Sequence, residues 1–532
     1  MFTKRKSGVL LHPTSLPSPY GIGDLGDNAF LFVDQLKKGG QSLWQILPLC
    51  PIGYGNSPYQ SISAFAGNIL LISPDELVKA GLLTEEDLAP VPDFGGPDTD
   101  YDAVKAYKLP LLRKAYQNFQ NDPEESTLAD FEAFCQKNQY WLEDYALFLA
   151  LKAYFTARRN QGKEAEEFRL FQQETVDFLT AEEQTAYFES AAWCTWPKAI
   201  RRHNAQTVKK WTRLLAARIR EEEFYQYLFS AQWQAVKEYA NENDIQIIGD
   251  APIFVAYDSA DVWANQKLFQ LDSKGFPTVV SGVPPDYFCV EGQLWGNPLY
   301  DWKAHKKTDY QWWTDRIRKS LEDVDILRID HFRAFESYWE VAFGAPNAIQ
   351  GVWKKGPGMD FFRTLEKELG KLPLIAEDLG IITDEVRALR KEAGFPGMRV
   401  LQFAFGNDRN NAYLPHSCDF NSIMYTGTHD NNTSRGWYAE ATEEEKDHYR
   451  RYLNVDGSNV AWDLIRLAFA SPAVFAIVPL QDVLNLDGNS RMNTPGIAGG
   501  NWGFRFDWSQ WDEGFTQGLY YLATLFGRCA GI

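Results

Sequence analysis

Residues 326–332 read ILRIDHF. The apolar residues suit a buried strand, yet Arg328, Asp330 and His331 stand among them. Charges buried without partners are costly. A strand of this kind must therefore end where other polar groups meet it. Arg328 and Asp330 are two apart and share one face of a strand. An adjacent guanidinium lowers a carboxyl's pKa and keeps it ionised, and an ionised, oriented Asp can act as a nucleophile. His331 points to the other face unless the strand stops before it. The plainer alternative is an ion pair that only steadies the strand end.

Four more apolar runs end in polar residues. Asp250 sits in GDAPIF within 245–255, Glu377 and Asp378 in 372–380, His429 and Asp430 in 422–430, and His12 closes 8–12. Neighbours on a strand face opposite sides, so one of Glu377 and Asp378 faces the cleft. Asp378 also suits a helix cap, and Asp430 a turn in HDNNTS. Three acids on three strand ends suit glycosidic-bond chemistry, which needs one ionised carboxylate and one carboxyl held protonated. A metal-dependent hydrolase would use the same Asp and His residues as ligands. Against it, the chain has only 7 His, with no H-x-H and no H-E-x-x-H. Neither a G-x-S-x-G elbow nor a P-loop is present.

The elements that must position these residues are eight apolar runs: 8–12, 42–49, 245–255, 325–332, 372–380, 398–405, 422–430 and 473–484. Helix-like segments lie between most of them, such as DNAFLFVDQLKKGG after the first and TDEVRALRKEAG after the fifth. Strands that are apolar throughout and alternate with helices predict a parallel sheet. Eight of them predict an α/β fold, a (β/α)8 TIM barrel, whose active site lies at the C-terminal ends of the strands. A doubly wound open sheet is the rival architecture. Residues 75–205 read as an inserted, mainly helical subdomain between strands two and three. Residues 256–308, rich in Gly, Pro and aromatics, read as a second insertion, a long functional loop without regular structure. GIGDLG (21–26) matches a dinucleotide fingerprint by letter only: prolines separate it from the preceding strand, and no acid follows about 20 residues on.

A net charge of −18 speaks against nucleic acid and against an anionic membrane surface. No apolar run is long enough to cross a bilayer, and the N-terminal stretch lacks the form of a signal peptide. The 6 cysteines are scattered without C-x-x-C, which suits free thiols in a reducing cytoplasm. Aromatic residues reach 15%. Most belong to a large core; others suit apolar platforms for sugar rings.

Taken together, LRIDHFRAF (327–335), AEDLG (376–380) and YTGTHDNNT (425–433) resemble the amylomaltases, or 4-α-glucanotransferases. The likeness extends to 8–26, 44–68, 249–263, 281–302 and 492–506, and is weakest in the helical insertion. It implies an α-amylase-like barrel without a C-terminal β-domain. Asp330 would be the nucleophile, Glu377 the general acid/base, and Asp430 the holder of the reacting sugar's 2- and 3-hydroxyls. Arg328, His331, His429, Asp250 and Tyr59 would line the donor subsite. Trp295 would cover it from the loop 281–302. Gln293, Asn297, Ser57 and Asn501 would make further glucan contacts, and Tyr54 would be a glucan platform. No metal and no organic cofactor is implied. The partners would be α-1,4-glucans (malto-oligosaccharides, amylose, glycogen or starch fragments), with glucose as acceptor. The oligomeric state stays open, with a monomer sufficient. A plain α-1,4-glucan hydrolase on the same scaffold is the alternative, and a non-catalytic glucan binder is disfavoured by the retained acids. In GNWGFRF (500–506), Gly503 and Phe504 depart from the expected pattern.

Overall fold

The computed structural model describes residues 2–160, 165–285, 291–406, 408–497 and 499–529. Eight strands form a closed barrel: β1 (Lys6–Leu10), β2 (Leu43–Gln45), β3 (Gln246–Ala251), β4 (Ile326–Ile329), β5 (Leu374–Ala376), β6 (Gly397–Val400), β7 (Ser422–Tyr425) and β8 (Phe475–Pro479). Each pairs in parallel with the next, and β8 pairs with β1. The predicted (β/α)8 barrel is therefore the fold, and the open sheet is excluded. Strands such as β4, β7 and β8 are buried along their whole length. One face fills the lumen and the other meets helices, which is why they are apolar without alternation.

Every strand is shorter than or equal to its apolar run. The run 422–430 yields only Ser422–Tyr425 as strand. The acid-bearing runs continue beyond their strands into the turns at the barrel mouth, whereas 473–484 goes on into the short helix Leu480–Val483.

The helix after β1 shows how the outer layer is anchored. In Asp27–Lys38 the buried residues are Ala29, Phe32, Val33 and Leu36, the i, i+3, i+4, i+7 stripe of an amphipathic helix. Asp27 lies in the first turn and Lys37 and Lys38 in the last, each matched to the helix dipole. Gly26, the last glycine of GIGDLG, is the N-cap. A Cβ on Gly23 would lie 2.1 Å from the Pro13 carbonyl oxygen, so close chain packing requires glycine there.

Between β2 and β3 the chain is helical from Pro74 to Glu242, with short connections. Its three long helices are Tyr101–Asn121, Glu125–Asn160 and Ala216–Glu242. Phe119, Phe131 and Phe224, one from each, lock them together, with ring centroids 4.4 and 5.4 Å from Phe224.

The segment 256–308 departs from expectation. It contributes strands Val279–Val283 and Gln293–Pro298. These join Ser337–Ala342 and Gly351–Lys355, which follow β4, in an antiparallel four-stranded sheet. Gly282, Gly296 and Pro298 hid the strands, because such residues read as turns. Among the described residues only helices and turns follow β8. No described helix is long and apolar enough to cross a membrane.

Candidate active site

The polar residues meet at the C-terminal mouth, and β4 is the pivot. Its register with β3 sets Asp250 directly beside Arg328. The Arg328 Nη1 donates to Asp250 Oδ2 at 2.5 Å, and Nη2 donates to Asp330 Oδ1 at 3.0 Å. One guanidinium thus serves two carboxyls. Its Nε faces Met398 Sδ of β6 at 3.3 Å. Tyr59 donates its hydroxyl to Asp250 Oδ2 at 2.7 Å, and its ring stacks on His429, 4.9 Å between centroids.

The chain turns sharply after Asp330. His331 has φ 52° and ψ 48°, the left-handed region that a branched chain enters at a cost of roughly 1–2 kcal/mol. The turn resolves the direction of His331. Its backbone N–H donates to Glu377 Oε2 at 2.8 Å, and its ring stands edge-on to Trp295 at 4.7 Å. Leu379 N–H donates to Glu377 Oε1 at 2.7 Å. The two backbone donors fix the carboxyl of Glu377 beside the residue that follows Asp330.

The two acids hold protons unequally. Burial, and next the Asp330 charge, push the Glu377 carboxyl up to about 8, against the pull of Arg328 and the Leu379 N–H. Asp330 also rises above the ordinary aspartate value, because burial outweighs Arg328. This corrects the expectation that the guanidinium would lower it: Arg328 is shared with Asp250, whose charge acts in the opposite sense. The Asp330 side chain is nevertheless 31% exposed, so water at the mouth takes back part of that rise. Burial and the Asp330 charge favour the proton on Glu377, while Arg328 and the exposure of Asp330 to water favour its ionised form. Burial pushes the imidazole of His331 down to about 3, so it is neutral at working pH.

Asp430 faces the same opening, 47% exposed at its side chain. Asn493 Nδ2 donates to its Oδ1 at 2.6 Å, Arg491 Nη2 to its backbone carbonyl at 2.5 Å, and His429 Nε2 lies 3.4 Å away. Asp378 points elsewhere. It is buried, accepts from Met398 N–H at 2.7 Å, and pairs with Arg390 at 3.1 Å. It caps no helix; the following helix Asp384–Ala393 is capped by Thr383.

The other predicted residues divide. Trp295 and Gln293 lie on the strand Gln293–Pro298, with the indole N–H donating to Gln293 Oε1 at 3.1 Å. Asn297, on the same strand, is 5% exposed, and its amide ties Gln60, Val255 and Ser281 together. Ser57 accepts from Tyr59 N–H in a tight turn. Tyr54 projects to solvent, 82% exposed. Asn501 braces its own loop, accepting from Thr494 N–H and donating to the Ile497 carbonyl. Cys289, with the rest of 286–290, lies outside the described residues.

Three residues, Trp502, Asn493 and Arg491, were not anticipated as site members, and His12 was singled out only as the polar end of its run. The Trp502 ring packs on Tyr59 and His429, 5.7 and 5.9 Å between centroids. Asn493 and Arg491 hold Asp430, and His12 lines a small pocket with His429. The signal for Asn493 and Trp502 lay within 492–506. No group of three or more His, Cys, Asp or Glu side chains suited to a metal occurs among the described residues.

A closed parallel barrel with a proton-holding Glu next to an Arg-held Asp defines a class: a barrel enzyme built for glycosidic-bond chemistry. The family model described as 4-alpha-glucanotransferase matches residues 11–510, and the chain belongs to that family. The 4-alpha-glucanotransferase of Synechocystis is 46% identical over 99% of both chains. That of Streptococcus pneumoniae is 44% identical over 99% of this chain and 98% of its own. The chloroplastic/amyloplastic enzyme of Solanum tuberosum is 43% identical over 94% of this chain and 82% of its own. Amylomaltase from Streptococcus agalactiae, solved in complex with acarbose, superposes with a TM-score of 0.89 at 37% identity, covering 99% of this chain and 100% of its own.

Proposed function

We propose that the enzyme moves α-1,4-glucan segments from a donor malto-oligosaccharide or amylose to the 4-hydroxyl of an acceptor glucan or glucose, by two displacements. Asp330 attacks the anomeric carbon and forms a covalent glucosyl-enzyme. Glu377 gives its proton to the departing sugar oxygen. It then takes the proton from the incoming 4-hydroxyl, so the linkage is remade with retention. Asp430 holds the sugar's 2- and 3-hydroxyls. Arg328 keeps Asp330 aimed, and Asp250, Tyr59, His331 and His429 form the walls of the donor subsite. Trp295 and Gln293 cover the donor chain, while Ser57, Asn297 and Asn501 support surrounding loops. Tyr54 offers a ring to a passing glucan.

The observation that carries this reading is the pairing of two carboxyls at the mouth: Arg328 holds Asp330, while two backbone N–H groups hold Glu377, whose burial favours its protonated form. Double displacement needs one carboxyl ionised and one protonated. The acarbose held by the S. agalactiae relative supports a glucan-shaped cleft. Transfer outruns hydrolysis when the acceptor site favours sugar and the covering strand excludes water. We read residues 1–532 as one catalytic barrel unit, with 75–205 as a helical subdomain and 256–308 as the arm that carries the cover. A single chain suffices for the chemistry, and the scattered thiols suit the cytoplasm.

The test is incubation with maltotriose beside Asp330→Asn. The parent should yield glucose and a ladder of longer glucans, and the variant neither. Maltose and glucose without longer products would make it a hydrolase.

A further inference from the structure

The four-stranded sheet presents an aromatic pair at the rim nearest Glu377. Trp339 and Trp353 lie directly opposite each other on neighbouring strands, with ring centroids 5.2 Å apart. The Arg333 guanidinium lies over the Trp353 ring, 3.9 Å from its centroid. Nη1 of the same guanidinium donates to the Ile381 carbonyl. Ile381 belongs to the loop after β5, four residues beyond Glu377, and Arg333 follows Asp330 by three. The patch is thus tied to both catalytic loops through one side chain.

Its surface is open and apolar. Trp353 is 41% exposed, and Ile381 and Val352 are each 51% exposed. Gly351–Lys355 is an edge strand of the sheet. The charges around it are matched locally: Lys355 pairs with Glu336, and Lys354 with Glu340 at 3.4 Å. Such a surface has no electrostatic preference for a charged partner, and an exposed ring beside a catalytic mouth marks a binding surface.

We propose that Trp353, flanked by Trp339 and Ile381, is a platform for the outer glucose units of the acceptor chain. This rests on the transferase reading above. Glu377 handles the oxygen that leaves with one glucan and arrives with the next, so the acceptor lies on the Glu377 side. The loop carrying Glu377 leads to Ile381 and, through Arg333, to the indole. A glucan is neutral and presents CH-rich ring faces that pack on an exposed aromatic. Arg333 holds the ring in place before the chain arrives. Short acceptors end before the platform; long ones reach it.

The test is acceptor KM with a fixed labelled donor, over glucose, maltose, maltotetraose and maltoheptaose. The parent, Trp353→Ala and Trp353→Phe are compared. For Trp353→Ala the maltoheptaose KM should rise about tenfold, the loss of one good ring contact. The glucose KM and kcat should stay unchanged, and Trp353→Phe should restore most of the long-acceptor gain. An equal KM change for every acceptor, or none for any, overturns the platform. So does light scattering in which Trp353→Ala splits a parent dimer, since the patch would then bind a second copy. A parent that only hydrolyses every donor, with no transfer to glucose, would instead remove the reading on which the platform rests.

Discussion

Two buried arginines occupy opposite ends of the barrel. Arg328 lies at the mouth and meets carboxylates, Asp250 and Asp330. Arg528 lies by the starts of β1 and β8, fully buried, and meets backbone carbonyls. Its Nε donates to Phe469 at 2.7 Å, Nη1 to Lys6 at 3.0 Å, and Nη2 to Ser471 and Ala473 at 2.9 and 3.0 Å. Arg5 adds donors to Phe469 and Ser471. Carboxyls have protons to exchange, and carbonyls do not. The same side chain therefore tunes acidity at one end and ties the chain's two termini together at the other, as the division of labour between barrel faces requires.

The comparison breaks most sharply by removing each guanidinium. Arg328→Met should lower stability by about 3–5 kcal/mol, because two acids lose their partner, and should lower kcat by at least roughly 10³-fold. Arg528→Met should lose stability on a similar scale, about 3 kcal/mol or more for several orphaned carbonyls. Its kcat per folded molecule should remain that of the parent. Denaturant unfolding and active-site titration measure both; a lost kcat in stable Arg528→Met would erase the distinction.

The acid pair sharpens it next. On the proposed mechanism, activity needs Glu377 protonated and Asp330 ionised. The rate should fall as pH rises through about 8, and on the other side as pH drops through an Asp330 value held above ordinary aspartate. Asp330→Asn removes the neighbouring charge, so the Glu377 carboxyl should titrate lower, visible by carbon-13 NMR of labelled glutamate. A rate profile flat through pH 9 would contradict the proton order.

Asp378→Asn should cost about 1–3 kcal/mol in stability, since it disturbs a buried acid that Arg390 and Met398 hold. Its kcat should change only a few-fold, unlike that of Glu377→Gln. Tyr54→Ala, at an 82% exposed site, should leave stability within about 0.5 kcal/mol. These two variants mark the edges of the catalytic cluster.

Much of this was legible in the sequence. Eight apolar runs placed all eight strands, four of them carrying acids at or near their ends, and the spacing of two put Arg328 and Asp330 on one face. What stayed hidden depends on register between distant segments. Nothing in ILRIDHF announces that Asp250 lies beside Arg328, and burial, with the Asp250 charge behind it, reverses the expected shift at Asp330. Glu377 and Asp378 could not be told apart by alternation alone; burial and the partner Arg390 separate them. The four-stranded sheet escaped notice because its strands come from two insertions and include glycine and proline.

That sheet has a mechanical consequence. Its outer strands carry Trp295 and Trp353, and its inner strands come from opposite sides of β4 in the chain. Trp295 and Trp353 therefore ride on one plank, joined to the chain on both flanks of the strand that leads to Asp330. A shift in how the two inner strands are anchored beside that strand would move both indoles together, without touching an acid.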